Sequence, residues 1–195
     1  MRVFVTGATG FVGQEILGRL HAAGLSIRIL ARDPESERVQ DTVSLYGAEV
    51  RQGNVLAPDS LAGALNGMHA VIHLVGIISE IGENTFENVH CQGTQNIVAA
   101  AQEAGIERFI QMSALGTRPG AASRYHQTKW AAEETVRHSD LDYTIFRPSL
   151  IFGPRDQFVN LFARIIRFSP VIPILAAERA RFQPVGIETV GAAFA

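Results

Sequence analysis

Tyr125-His126-Gln127-Thr128-Lys129 sets a phenol and an ammonium four residues apart, on one face of one helix. That pairing has a chemical use. An isolated tyrosine titrates at about pH 10 and is a poor acid or base near neutrality. A neighbouring ammonium favours the phenolate and lowers that value, which predicts a Tyr125 tuned for proton transfer. The six histidines show no metal-ligand spacing. His90 and Cys91 are adjacent on a helix and point about 100° apart, a poor start for a metal site. Cys91 is the single cysteine, so an intramolecular disulfide is excluded. His126 reads as a surface residue.

The second constellation is Gly7-Ala8-Thr9-Gly10-Phe11-Val12-Gly13, directly after the apolar run Val3-Phe4-Val5. Gly7 allows the tight turn off a strand, Gly10 lets the backbone approach a pyrophosphate, and Gly13 lets helix and sheet pack closely. The helix N-terminus then offers unpaired N–H groups and its positive dipole end to the phosphates. Strand before, helix after and a second strand at the right distance mark a dinucleotide-binding loop, with Gly7, Thr9, Gly10, Phe11, Val12 and Gly13 as its contacts. The end of that second strand selects the cofactor. It reads Ile29-Leu30-Ala31-Arg32-Asp33, with Ala31 where an NAD site usually places an acid. Arg32 can clamp a 2′-phosphate, which points to NADP(H). Asp33, one residue further, keeps NAD(H) as the alternative.

Positioning these groups requires a frame, and the chain alternates short apolar runs with helical stretches. Strands are predicted over 3–5, 26–30, 48–51, 70–75, 109–112 and 143–146. Val12, Ile16, Leu17 and Leu20 form one face of a first helix, and longer helices are predicted over 86–104 and 123–138. This alternation predicts an α/β fold: a Rossmann-type, doubly wound parallel sheet with helices on both faces, over residues 1–147. After Arg147-Pro148 the texture changes, and residues 148–195 read as an incomplete C-terminal substrate-domain segment. Phe158, Leu161, Phe162, Ile165 and Ile166 form an apolar helical stripe, with Arg155, Arg164 and Arg167 nearby. The stripe packs onto the rest of that domain, or rests against a protein partner or a membrane surface. Pro170 and Pro173 impose an extended stretch. A short final helix over 188–195 has no stop signal, so the chain is expected to end inside the second domain.

Composition sets the outer bounds. The 195 residues carry 17 Lys and Arg against 19 Asp and Glu, a formal charge of −2, so no basic face for nucleic acid is expected. With 47% hydrophobic residues the chain is globular rather than disordered. No targeting segment is expected ahead of the first strand, and no run approaches the roughly 18 apolar residues of a transmembrane segment. The default location is cytoplasmic.

Several motifs together resemble the extended and atypical short-chain dehydrogenase/reductases, the group of NAD-dependent epimerases and dehydratases. They are Thr6-Gly7-Ala8-Thr9-Gly10-Phe11-Val12-Gly13, Gly53-Asn54-Val55, Val71-Ile72-His73-Leu74, Arg147-Pro148-Ser149, Phe152-Gly153-Pro154 and Phe182-Gln183-Pro184-Val185. Within that superfamily the chain is similar to the set related to the nucleotide-binding accessory subunit of respiratory complex I. The resemblance implies that Asn54 and Val55 lie beside the adenine and that Leu74, Val75 and Gly76 line the cofactor channel, with Pro148 bordering it. From the residues alone, Leu74 and Val75 read equally well as plain core. The resemblance also implies that Tyr125 is the acid/base and that Lys129 holds the nicotinamide ribose. In family enzymes a Ser or Thr after the fifth strand polarises the substrate carbonyl. Here Ala114 occupies that position and Ser113 precedes it, either as a displaced catalytic hydroxyl or as a strand-end residue serving local backbone groups. His90 stands where the family commonly has Asn, and reads as a core or helix-surface histidine. Two functions follow. One is an NAD(P)-dependent oxidoreductase, epimerase or dehydratase acting on a small-molecule or nucleotide-sugar substrate. The other is a non-catalytic NADP(H)-binding accessory or sensing protein within a protein complex.

Overall fold

The computed structural model describes residues 1–156, 159–168 and 182–195. Its centre is a six-stranded sheet built from β1 (Arg2–Thr6), β2 (Ser26–Ala31), β3 (Glu49–Gln52), β4 (Ala70–His73), β5 (Arg108–Met112) and β6 (Asp142–Phe146). The order is β3-β2-β1-β4-β5-β6, every pairing parallel. This is the doubly wound α/β sheet that the alternating pattern predicts. Strand ends differ from the expected ones by a residue or two. β4 is the largest case: it stops at His73, so Leu74-Val75-Gly76 leaves the sheet as a loop.

β1 shows why the sheet needs cover on both sides. Val3 and Val5 face α1 (Phe11–Ala22), packing with Ile16, Leu17 and Leu20. Phe4, between them, faces the opposite core with Val71, Phe109 and the helix residues Ile97 and Val98. Alternate side chains point to opposite faces, so a strand apolar at every position is stable only when buried twice. Each large side chain buried this way contributes about 1.5–3 kcal/mol. On the second face lie α3 (Gly93–Glu103) and α4 (Arg124–Arg137).

Two elements depart from the predicted pattern. The β2–β3 connection holds a helix, α2 (Glu37–Tyr46), that the strand-by-strand reading leaves out. The expected helix over 86–104 is two geometries in series, a π-helical segment, Glu87–Gln92, running into α3. Gly93 marks the join, where an added Cβ would stand 3.1 Å from the Val55 side chain.

Beyond β6, β7 (Ile151–Phe152) pairs in parallel with β8 (Val185–Gly186), outside the main sheet. α5 (Val159–Phe168) lies between them in sequence and exposes Leu161 and Ile166. Phe158, Pro170 and Pro173 lie outside the described residues. α6 (Ile187–Phe194) returns to pack on α1, burying Val190 and Phe194 in the first core. A Cβ at Gly191 would stand 2.5 Å from Glu15 Cγ, so a larger residue there would push the Glu15 and Arg19 side chains aside. Packing, not length, supports so short a helix.

Candidate functional site

The strand order reverses between β1 and β4, and the loops leaving these strands touch. Gly7 has φ of +73°, and a Cβ on it would stand 3.1 Å from the Leu74 carbonyl carbon and the Val75 nitrogen. Gly13 lies beneath: its Cβ would meet the Gly7 and Ala8 carbonyl oxygens at 2.4 and 2.5 Å. The Gly10 N–H donates to Gly7 O at 3.1 Å and closes the turn. α1 then begins with no side-chain cap and no acidic residue in its first turn. Its leading N–H groups and dipole are therefore available to an anion, with Thr9, Phe11 and Val12 half-buried along the loop. These features fit a pyrophosphate.

At the β2 end, Ala31 is buried and Arg32 is exposed. The Asp33 carboxylate accepts the Glu35 N–H at 3.1 Å and so serves its own turn. Asn54 does likewise, accepting the Leu56 N–H at 3.1 Å. Val55 sits in the second core, and its carbonyl accepts from Asn96 at 2.8 Å. Leu74 is buried in the first core and Val75 packs against the second. Their side chains serve the cores while their backbone borders the glycine loop.

Further along the loop that leaves β4 stands Gly76. A Cβ there would stand 2.9 Å from Lys129 Nζ and 3.6 Å from His90 Nε2, so two polar side chains converge on the point that glycine leaves open. Lys129 is buried and donates to the Met112 carbonyl at 3.2 Å. Burial pushes its pKa down to about 8, while Glu133 one turn later pulls it upward. Tyr125, half-buried, packs edge-on against His90 at 5.3 Å, His126 at 5.1 Å and Phe86 at 5.8 Å. Its pKa moves upward through burial, opposite to the direction expected from the lysine four residues on. The reason is geometric: the ammonium is engaged with Met112 and aimed at Gly76, and the phenol is surrounded by rings.

The loops around Tyr125 are latched to α4 from both sides. Glu80 pairs with Arg124 at 3.2 Å and accepts the Phe86 N–H at 2.8 Å. His126 is half-buried, not a free surface residue; its ring bonds Ser123 Oγ at 2.7 Å and Leu115 O at 3.1 Å. The Pro148 carbonyl accepts the Leu115 N–H at 2.8 Å, bringing the Arg147-Pro148-Ser149 turn against the same loop.

Ser113 is buried, and its hydroxyl oxygen lies 3.4 Å from Thr117 Oγ1. It also helps to hold Glu133. Burial alone would raise that carboxyl, but hydrogen bonds from Arg147, Ser113 and Arg137 keep it below the usual range. Glu133 Oε2 lies 2.5 Å from both Arg137 Nη2 and Arg147 Nη2. Sequence spacing hints at this cluster only through Glu133, four residues after Lys129 and four before Arg137; it gives no sign of Arg147.

A second polar group missed by pattern lies across the sheet. Thr6 and His73 are register partners, as are His73 and Gln111. His73 Nδ1 bonds Thr6 Oγ1 at 2.7 Å and Nε2 meets Thr94 Oγ1 at 3.2 Å. Both His73 and His90 are pushed down to about 3, first by burial and then by the Lys129 charge. Among the described residues, no group of three or more His, Cys, Asp or Glu could hold a metal ion.

Residues 7–157 match the NAD(P)H-binding family, a span that holds the glycine loop, Gly76, Tyr125 and Lys129. The chain belongs to this family. The NAD(P)H-binding chain is 34% identical over 192 residues to a ceramide reductase of Caulobacter vibrioides, covering 97% of this chain and 58% of that protein. It is 30% identical over 192 residues to the mitochondrial NADH dehydrogenase [ubiquinone] 1 alpha subcomplex subunit 9 of Arabidopsis thaliana, covering 97% and 48%. The chain thus spans about half the length of these curated relatives. The crystal structure of gox2253 superposes with a TM-score of 0.78 at 26% identity, covering 98% of this chain and 64% of that one. A dTDP-glucose 4,6-dehydratase from Streptomyces venezuelae, solved with NAD bound, shares the fold with a TM-score of 0.83 at 19% identity, covering 100% and 70%. The expected similarity to the complex I accessory subunit is met at 30% identity, and the likeness to the dehydratase shows a shared fold.

Proposed function

We propose that the chain is the nucleotide-binding part of an NADP(H)-dependent carbonyl reductase. The observation that carries this reading is the line of groups from Arg32, over the glycine loop and the uncapped start of α1, to Lys129 at Gly76 with Tyr125 beyond. Gly7, Thr9, Gly10, Phe11, Val12 and Gly13 hold the pyrophosphate, with Asn54 and Val55 at the adenine. The backbone of Leu74, Val75 and Gly76, together with Pro148, borders the nicotinamide. Arg32 clamps the 2′-phosphate, supported by the commitment of Asp33 to its own turn. When bound, the cofactor supplies hydride from C4 of its ring. Tyr125 gives its phenolic proton to the oxygen that becomes a hydroxyl, the phenol being protonated near neutrality. Lys129, aimed at the point above Gly76, holds the ribose. Ser113 supports Glu133 and does not polarise the substrate.

The rim around Tyr125 bears on the substrate. Ile78, Ile81 and Leu115 are exposed on the two latched loops, which supports a carbonyl carried on an apolar scaffold over a nucleotide sugar. The expected boundary after residue 147 belongs to the same proposal. Residues 1–147 carry the cofactor and 148–195 begin the substrate side, while α6 returns to brace α1. The cytoplasm is the proposed location; among the described residues no helix is long and apolar enough to cross a membrane.

The test is calorimetric titration with NADPH and NADH. Arg32→Ala is expected to weaken NADPH by about tenfold to a hundredfold and to leave NADH unchanged. An unaltered NADPH/NADH ratio would refute the NADP assignment.

The buried partners of Ser113 and the absence of a hydroxyl at Ala114 favour a second reading, a protein that keeps NADP(H) without turnover inside a complex. The lifetime of the bound nucleotide separates the two.

A further inference from the structure

His90 is the buried group at this site to which the reductase reading gives no task. It lies in the π-helical segment Glu87–Gln92, a local irregularity of the kind often found at functional positions. The residue has 1% relative exposure. Nε2 accepts the Ile77 N–H at 3.2 Å, directly after Gly76. That acceptance fixes the tautomer: the proton is on Nδ1, which donates to Thr128 Oγ1 at 2.9 Å. The Thr128 hydroxyl is then left to donate to the carbonyl of Arg124 or Tyr125, at 3.0 and 3.1 Å. A directional chain thus runs from the loop backbone, through the imidazole, to the α4 backbone at Tyr125.

The same ring stacks on Phe86 at 5.5 Å and 22° and meets the Tyr125 ring edge-on at 5.3 Å. Its Nε2 and the Lys129 ammonium approach one point above Gly76. A plain core histidine needs only satisfied nitrogens. This one spends both on the two segments whose separation sets the width of the groove at its nicotinamide end.

We propose that His90 is a positioning residue that ties the Gly76–Ile77 loop to α4, holding Lys129 and Tyr125 at the distance the nicotinamide end requires. The proposal rests on the cofactor reading above. Burial keeps the ring neutral, since its pKa is pushed down to about 3, and a neutral ring is the form that can accept from Ile77.

The experiment compares two probes in calorimetry, NADPH and adenosine 2′,5′-bisphosphate, which fills only the adenine end. His90→Leu removes both hydrogen bonds. It is expected to weaken NADPH about tenfold, as the loss of two buried hydrogen bonds implies, and to leave the bisphosphate within about twofold. His90→Gln restores one acceptor and one donor and is expected to recover most of that loss. Thr128→Val breaks the same path one atom later and should show the same selectivity, which covers the case of a poorly folded His90→Leu. Equal losses for both probes, or no loss for either, would overturn the proposal while leaving the cofactor reading in place. A wild-type chain that binds neither probe would overturn both.

Discussion

Tyr125 and Lys129 are separated by one helical turn, yet their charge states are set by different neighbours. Burial raises the phenol, while the ammonium, pushed down to about 8, is held by Met112 and supported by Glu133. Removing the phenolic oxygen should therefore stop proton delivery without disturbing the groove. Tyr125→Phe is expected to slow carbonyl reduction by about 10²–10⁴-fold and to leave the NADPH dissociation constant within about twofold. Single-turnover oxidation of bound NADPH beside the titration checks this, and undiminished turnover would remove Tyr125 from the chemistry. These two residues and the glycine loop are legible because their spacing is local in sequence. His90 and Glu133 are not legible in that way. Their roles arise from burial and from partners brought together by the fold, and no spacing encodes a hydrogen bond from Ile77 or from Arg147.

Among the elements, the tightest joint is the start of α1 beneath the glycine loop. A methyl group at Gly13 would press on two carbonyl oxygens that themselves shape the phosphate turn. Gly13→Ala is expected to cost about 1–3 kcal/mol by overpacking and to abolish measurable NADPH binding, read by urea denaturation and calorimetry. Retained affinity would mean that the loop does not hold the pyrophosphate. The parallel strands were visible as apolar runs because burial on both faces leaves no polar alternation to confuse. α2 was hidden: Val39, Thr42, Val43 and Tyr46 do follow a helical period, but charged and polar residues dilute it. The π-helical turn has no local signature either; its register is set by the imidazole bonds to Ile77 and Thr128 and by the approach of Gly93 to Val55.

For the molecule as a whole, two neutral histidines buried under α3 and α4 link stability to pH. His73 and His90 titrate near 3 in the fold against 6.5 in the open chain. Between those values the unfolded chain binds protons that the folded chain refuses, so stability falls as pH drops through the window. The limit is about 1.4 kcal/mol per pH unit for each histidine. Urea denaturation at pH 7, 5.5 and 4 should show this loss, with a shallower slope in His73→Gln. An identical slope in that variant would contradict the linkage. Lys129 acts at the opposite end, adding stability as pH rises from about 8 towards 10.5. The return of α6 to α1 is not readable from its residues, which look like an unfinished helix until Gly191 is seen against Glu15 and Arg19.

Whether the nucleotide turns over is the point on which the reductase proposal stands. Displacement of NADPH from the protein by excess NADP⁺, followed by stopped-flow fluorescence, measures it directly. Release within seconds is the predicted result, as befits a hydride donor that must leave after each cycle. A nucleotide that stays bound for hours would contradict the proposal and assign the groove to a protein that keeps NADP(H) as a structural ligand.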